Sequence, residues 1–324
     1  MKTIDDLQHM IDEEIRAQYR ILEPRELYEP MWYALSNGGK RLRPVFVLMG
    51  CQLFSDDIKR AVLPALGIEM FHNFTLLHDD IMDKAFMRRN LPTVHIKWDV
   101  NRAILSGDAL AIQSNIFIAS CDKEVLPDVL HVFNATALQV CEGQQYDLNF
   151  ERLSEVSVAE YLNMIQLKTA VLIAGSLQIG ALIGGAESQW ASRVYELGDM
   201  IGMAFQLQDD YLDTFGNPVT FGKNIGGDIL ANKKTYLLIK AREMANKEQD
   251  ELLKHYYGSE DFKADVKIES VKKVFYDLGI DQITIEKVHH YSNRALAILD
   301  EIPVASSRKN ELEKFTRNLM DRIR

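Results

Sequence analysis

Phe71-His72-Asn73-Phe74-Thr75-Leu76-Leu77-His78-Asp79-Asp80-Ile81-Met82-Asp83 is the stretch that decides how this chain is read. Leu63, Leu66, Met70, Phe74 and Leu77 lead into it at the spacing of one helix face. The apolar helix then ends in three carboxylates within five residues. Asp79 and Asp83, four apart, fall on the same side of a helix about one turn apart. The pattern returns far downstream: Val194, Leu197, Ile201 and Phe205 share one face and run into Asp209-Asp210-Tyr211-Leu212-Asp213. Carboxylates crowded at the end of an apolar helix repel one another and require a counter-charge, and a hard divalent cation is the natural one. One such cluster could be a solvated helix end. Two copies with identical spacing, each on the same kind of helix, argue for magnesium held by a few carboxylates and by substrate phosphate oxygens.

Outward from these clusters the helical period persists. The chain has 324 residues with 18 glycines and 8 prolines, too few for many tight turns between strands. The periodicity predicts helices near 3–20, 25–36, 42–54, 58–84, 100–120, 125–149, 157–185, 188–214, 229–246, 248–257, 267–278, 281–301 and 306–322. The breakers Asn37-Gly38-Gly39, Arg89-Asn90-Leu91-Pro92, Gly184-Gly185 and Phe215-Gly216-Asn217-Pro218 separate them, and Phe221 to Gly227 is the longest loop. With no linker-like stretch, the expectation is an all-α chain: one domain over residues 1–324, a bundle of about a dozen helices around a central cavity.

Composition narrows the partners. A net charge of −10 argues against nucleic acid, whose phosphate backbone demands a basic face. It leaves small phosphorylated substrates open, since a local cluster of cations can bind them. Cys51, Cys121 and Cys141 are far apart without metal-ligand spacing and read as reduced thiols of a cytoplasmic protein. Met1 to Arg20 is charged throughout and reads as no signal peptide. The longest apolar run, Ala170 to Ala186, reads as a buried core helix rather than a membrane span.

The cations sit in three places. Gly38-Gly39-Lys40-Arg41-Leu42-Arg43-Pro44 puts Lys40 and Arg43 at a helix start, where free N–H groups favour an anion. Its spacing is not that of a P-loop. Arg88 and Arg89 follow the first acidic cluster, and Lys168, Lys223 and Lys233 lie in the half that holds the second. Each alone reads as a surface cation. With six carboxylates they describe a diphosphate cage. His78 and His95 read as hydrogen-bonded structure rather than metal ligands.

From Gly38 to Tyr236 the chain resembles the trans-polyprenyl diphosphate synthases. The matching segments run in order: Gly39 to Pro44, Glu69 to His72, Leu77 to Asp83, Arg88-Arg89, Gly107-Asp108-Ala109-Leu110, Gly143-Gln144 with Asp147, Lys168-Thr169, Phe205 to Asp210, Gly222-Lys223, Asp228, and Lys233 with Thr235. The resemblance implies that Asp79, Asp80 and Asp83 form the first metal motif and Asp209, Asp210 and Asp213 the second, with three magnesium ions. It implies that Arg88, Lys168, Lys223 and Lys233 grip an allylic diphosphate, that Lys40, Arg43, His72 and Arg89 hold isopentenyl diphosphate, and that Thr169 and Gln206 flank the reacting carbons. It also implies a homodimer. Asn232-Lys233-Lys234-Thr235 departs from the Gly-Lys-x-Thr of many relatives, which leaves open whether Lys233 or Lys234 makes the grip. In the family a bulky residue five before the first aspartate blocks the product channel. Phe74, with Thr75 and Phe71 beside it, therefore points to products of fifteen to twenty carbons. The competing readings are a longer-chain synthase, a class I terpene cyclase and a non-catalytic helical partner. The second Asp-Asp-x-x-Asp and the Lys40/Arg43 pair speak against a cyclase, and the intact clusters against a partner subunit.

Overall fold

The structure, a computed structural model, describes residues 1–20, 22–216, 225–258 and 262–321. The chain is all-helical, and the one sheet among the described residues is a two-stranded hairpin. The chain packs into two compact units. The first comprises Met1–Ala137, Gly175–Tyr195 and Ile302–Glu311; the second comprises Leu138–Ala174, Glu196–Glu301 and the chain from Leu312 onward.

Within the first unit lie α1 (Ile4–Gln18), α2 (Arg25–Ser36), α3 (Leu42–Phe54), a 3-10 turn at Ile58–Ala61, α4 (Val62–Met82), the strands β1 (Met87–Arg88) and β2 (Leu91–Pro92), α5 (Val94–Lys97) and α6 (Val100–Ile118). Thr3 and Asp6 close a reciprocal capping box at the start of α1. Its buried stripe, Leu7, Ile11 and Ile15, is the expected one-face pattern. Helix α4 carries the first acidic cluster and buries Leu66, Met70, Phe71 and Leu77.

Helix α7 (Leu126–Arg152) follows. After it, α8 (Val158–Ile165), a π turn at Gln166–Ala170 and α9 (Val171–Ile183) run on as one apolar helix. This 26-residue stretch is long and apolar enough to cross a membrane, but 72% of its most apolar window is buried, as expected of a core helix. Helix α10 (Ser188–Phe215) carries the second acidic cluster. The remaining helices among the described residues are α11 (Gly227–Leu230), α12 (Tyr236–Met244), α13 (Lys247–Gly258), α14 (Ala264–Asp277), α15 (Ile280–Glu301) and α16 (Ser306–Asp321). Ile229, Leu237, Leu253, Val271, Phe275 and Ile280 form an apolar core among α11 to α15.

The helices fall close to their expected positions, with three departures. The stretch expected as one helix over 229–246 divides into α11 and α12, because Asn232 turns left-handed at φ 56° and breaks the ladder. The Lys267 ammonium donates to Asn232 Oδ1 at 2.5 Å and fixes that turn. The helix expected over 157–185 contains the π turn. The breaker at Arg89-Asn90 is a hairpin: both residues have positive φ, 53° and 63°, as a two-residue type I′ connection requires.

Candidate active site

The first acidic cluster occupies the end of α4. Lys84, at φ 51°, stops the helix, with Ala85 N–H bonded to Asp80 O at 2.9 Å and Lys84 N–H to Ile81 O at 3.2 Å. That is the double bond of a Schellman ending, built on a lysine where glycine is usual. The carboxylates therefore stand at the negative end of the helix dipole, where cations are favoured and anions are not. Asp80 is buried and answers with an ion pair: Arg88 Nε donates to its Oδ1 at 2.8 Å and the Arg88 terminal nitrogen lies 2.7 Å away. Asp79 is half-buried and Asp83, one turn on, is exposed. Arg88 is presented by β1, and Arg89, in the hairpin turn, donates to the Gly38 carbonyl. A small cavity of about 20 Å³ is lined by Asn37, Asn73, Leu76, Asp80, Arg88 and Arg89 among others.

The same unit carries Lys40, Arg43, His72 and Arg89, the residues expected to hold isopentenyl diphosphate. Arg41 is left-handed at φ 47°, buried, and bonded to Glu69 at 2.6 Å, to Asp12 at 3.1 Å and to the Leu35 carbonyl at 2.5 Å. This buried pair anchors the loop, so that Lys40 on one side is exposed and Arg43 on the other is half-buried. Asn73 adds a second bond to Glu69 at 3.1 Å. His72 is held well below its ordinary pKa, first by burial and then by the guanidiniums of Arg43, Arg89, Arg88 and Arg41. It is a neutral imidazole inside a cationic cluster, suited to hydrogen bonding rather than to adding charge.

The second cluster is built differently. Asp210 is buried, and its carboxylate accepts from the Tyr161 hydroxyl and from Gln206 Nε2 at 2.9 Å. Burial first, then the Asp228 charge, pushes its pKa up to about 8 against the help of those two bonds. Gln206 Oε1 in turn accepts from Thr169 Oγ1 at 2.9 Å. Thr169 belongs to the π turn, as does Lys168, whose ammonium lies 2.5 Å from Asp147 Oδ2. A Cβ on Gly143 would stand 2.3 Å from the Lys168 backbone nitrogen, so only glycine lets α7 come this close. Asp209 is half-buried. Asp213 accepts the Asp228 N–H at 2.9 Å, covering an otherwise open donor at the start of α11.

Lys233 is mostly exposed, 3.6 Å from Asp228 Oδ1. Lys234 donates to the Phe150 carbonyl at 2.7 Å, near the end of α7, and burial lowers its pKa. Lys223 lies outside the described residues. Phe71 is buried against Phe133, with ring centroids 5.5 Å apart; Phe74 is half-buried between Phe71 at 5.5 Å and His78 at 4.8 Å. The Thr75 hydroxyl donates back to the His72 carbonyl at 2.8 Å.

The polyprenyl synthetase family model matches residues 24–275. The chain belongs to the polyprenyl synthetase family. Geranylgeranyl diphosphate synthase of Methanosarcina mazei is 36% identical over 75% of this chain and 76% of its own. Geranylfarnesyl diphosphate synthase of Aeropyrum pernix is 34% identical over 90% and 92%. A crystal structure of a geranylgeranyl pyrophosphate synthase superposes with a TM-score of 0.94 at 44% identity, covering 99% of both chains. This polyprenyl synthetase is accordingly a trans-prenyltransferase that condenses an allylic diphosphate with isopentenyl diphosphate.

The family is generally magnesium-dependent, and the donors present suit that ion. Among the described residues no three His, Cys, Asp or Glu side chains gather closely enough to cage a metal alone. Asp79, Asp83 and Asp209 are wholly or partly open near the ends of their helices, while burial, and then the Asp228 charge, push the pKa of Asp210 up. Magnesium that arrives with diphosphate oxygens needs only such partial ligation. Arg41, Glu69, Asn73, Tyr161 and Asp147 are parts of the site that were not among the expected residues. Of these, Arg41, Glu69 and Asp147 fall within the matching sequence segments; Asn73 and Tyr161 do not.

Proposed function

We propose that this enzyme makes fifteen- to twenty-carbon all-trans diphosphates, and that the position of Phe74 carries the reading. Phe74 is half-buried on α4, stacked edge-on against His78, which directly precedes Asp79. A ring there limits the length of an apolar tail in the way a pocket wall does. The names of the geranylgeranyl relatives support a twenty-carbon product. A second reading, twenty-five carbons, is favoured by the geranylfarnesyl relative.

In this reading Asp79, Asp80 and Asp83 of the first cluster, and Asp209 of the second with Asp210 and Asp213 behind it, would each offer carboxylates to magnesium, three ions in all. When bound, magnesium would neutralise charge on the diphosphate and so make it a better leaving group. Arg88, Lys168, Lys223 and Lys233 bind the allylic diphosphate. Lys233 is preferred because Lys234 is occupied by the Phe150 carbonyl. Lys40, Arg43, Arg89 and neutral His72 hold isopentenyl diphosphate. The allylic C–O bond breaks, the isopentenyl double bond attacks the allylic carbon, and a proton leaves to the released diphosphate. Thr169 and Gln206 line that step as neutral dipoles, and the apolar side chains exclude water that would quench the cation.

The assay is labelled isopentenyl diphosphate with dimethylallyl, geranyl or farnesyl diphosphate and magnesium, products sized by chromatography. Incorporation that ends at fifteen or twenty carbons is expected; products beyond twenty-five would overturn the length. The enzyme is also read as a cytoplasmic homodimer. Leu105, Ile112 and Ile116 form an exposed apolar stripe along one face of α6, 59–64% exposed, which a second copy would cover. Light scattering that returns the mass of one chain would overturn that part.

A further inference from the structure

The geometry points to Asp199 as a positioning residue that, through Gln166, holds the turn carrying Lys168 and Thr169. The inference rests on the reading that Lys168 and Thr169 serve the allylic end.

A π turn inserts one extra residue into a helix and gives up part of the regular ladder, so its shape depends on what holds it from outside. The turn Gln166–Ala170 is held to α10 at both ends. At the far end Thr169 Oγ1 donates to Gln206 Oε1 at 2.9 Å, and Gln206 Nε2 to Asp210 Oδ1 at 2.9 Å. At the near end Gln166 Nε2 donates to Asp199 Oδ2 at 2.9 Å. Between them, a Cβ on Gly202 would stand 2.4 Å from Ala170 Cα, so the two backbones are in direct contact. Asp199, Gly202, Gln206 and Asp210 are spaced i, i+3, i+7 and i+11, one face of α10.

The position is an expensive one for a carboxylate. Asp199 is 7% exposed, and its Oδ1 is buried with no hydrogen-bond partner among the described residues. Burial raises its pKa to about 6, against the help of the Gln166 bond. What the group supplies in return is a strong acceptor for Gln166, which a buried aliphatic side chain would not give.

The test uses the full chain with magnesium and both substrates, and measures kcat, both KM values and the melting temperature. Gln166→Ala and Asp199→Ala should each lower kcat about tenfold and leave the KM for isopentenyl diphosphate within twofold. The double variant should be no worse than the worse single, because both remove one clamp. Asp199→Asn, whose amide oxygen still accepts from Gln166, should recover most of the loss. Multiplying losses in the double variant, or kcat within twofold of wild type for folded Gln166→Ala, would overturn the inference. Gln166 is half-buried, so its variant keeps the test alive if Asp199→Ala does not fold. Lys168→Ala is run alongside. Unchanged kinetics there would sink the underlying reading, whereas a damaged Lys168→Ala beside an intact Gln166→Ala would sink this inference alone.

Discussion

The two acidic clusters share one spacing and one kind of helix, yet their middle aspartates live in opposite surroundings. Asp80 is compensated: a guanidinium from the hairpin lies 2.7 Å from its carboxylate. Asp210 is held by two neutral donors, Tyr161 and Gln206, with the Asp228 charge nearby, and its pKa climbs to about 8. A repeated motif thus repeats the helical start of each cluster but not its electrostatics. Hydrogen bonds from neutral groups orient a buried carboxylate without cancelling its charge. Of the two middle aspartates, Asp210 is therefore the one that burial, and then the Asp228 charge, push toward the protonated form.

The sharpest attempt to break the comparison removes an outer aspartate from each cluster. Asp79→Ala and Asp209→Ala should each lower kcat on the order of 10³-fold, the scale expected when charge stabilisation of a leaving group is lost. Steady-state turnover with saturating magnesium measures this. If one variant keeps near-normal turnover, the clusters are not functional equivalents.

The next test turns on pH. For an acid whose folded pKa is raised, the folded chain stays protonated while the unfolded chain ionises, so stability falls as pH rises from the ordinary carboxylate range up to the folded value. For Asp210 that window ends near pH 8. In chelator, Asp210→Asn should therefore melt increasingly above wild type as pH rises from 5 to 8 and hold a constant lead beyond. Asp80→Asn should do the reverse and melt below wild type throughout, by about 1 kcal/mol, because Arg88 loses a charge-assisted partner and is partly open to water. Parallel melting curves for the two variants would erase the distinction drawn here.

Why one half of this contrast was legible in sequence and the other was not is a matter of contact distance along the chain. Helices announce themselves locally, by apolar residues every three or four positions, and so the elements that carry Asp79 and Asp209 could be placed. The loop with Lys40 and Arg43 was also readable, because glycines and a first-turn proline mark it. The partners that set the electrostatics are remote: Glu69 lies 28 residues from Arg41, Asp199 lies 33 from Gln166, and Asp210 lies 49 from Tyr161. No periodicity encodes such pairings. The π turn escapes for a related reason: one extra residue hardly disturbs the apolar pattern of Val158–Ile183, yet it re-aims Lys168 and Thr169. Arg89-Asn90 looked like a breaker and is one, but the left-handed pair that makes it a hairpin is not what such residues usually adopt.

The smallest expected effect on rate belongs to the apolar side of the first cluster, and it separates Phe74 from Phe71. Both rings sit on α4 and touch at 5.5 Å, so either could be taken for the wall. Phe71 is 4% exposed and packs edge-on against Phe133, which makes it core. Phe71→Ala should cost about 3 kcal/mol or more of stability through the cavity it leaves. Phe74 is only half-buried, so trimming it opens space without emptying the core. Phe74→Ala should keep kcat within a few-fold of wild type and melt within a few degrees of it. Its products should lengthen by one or more five-carbon units in the same chromatographic assay. Thr75, whose hydroxyl is tied to the His72 carbonyl, should change the product less when replaced by alanine, since its side chain is small and already turned toward the backbone. Unchanged products from Phe74→Ala, or lengthening from Phe71→Ala alone, would move the wall one turn down the helix.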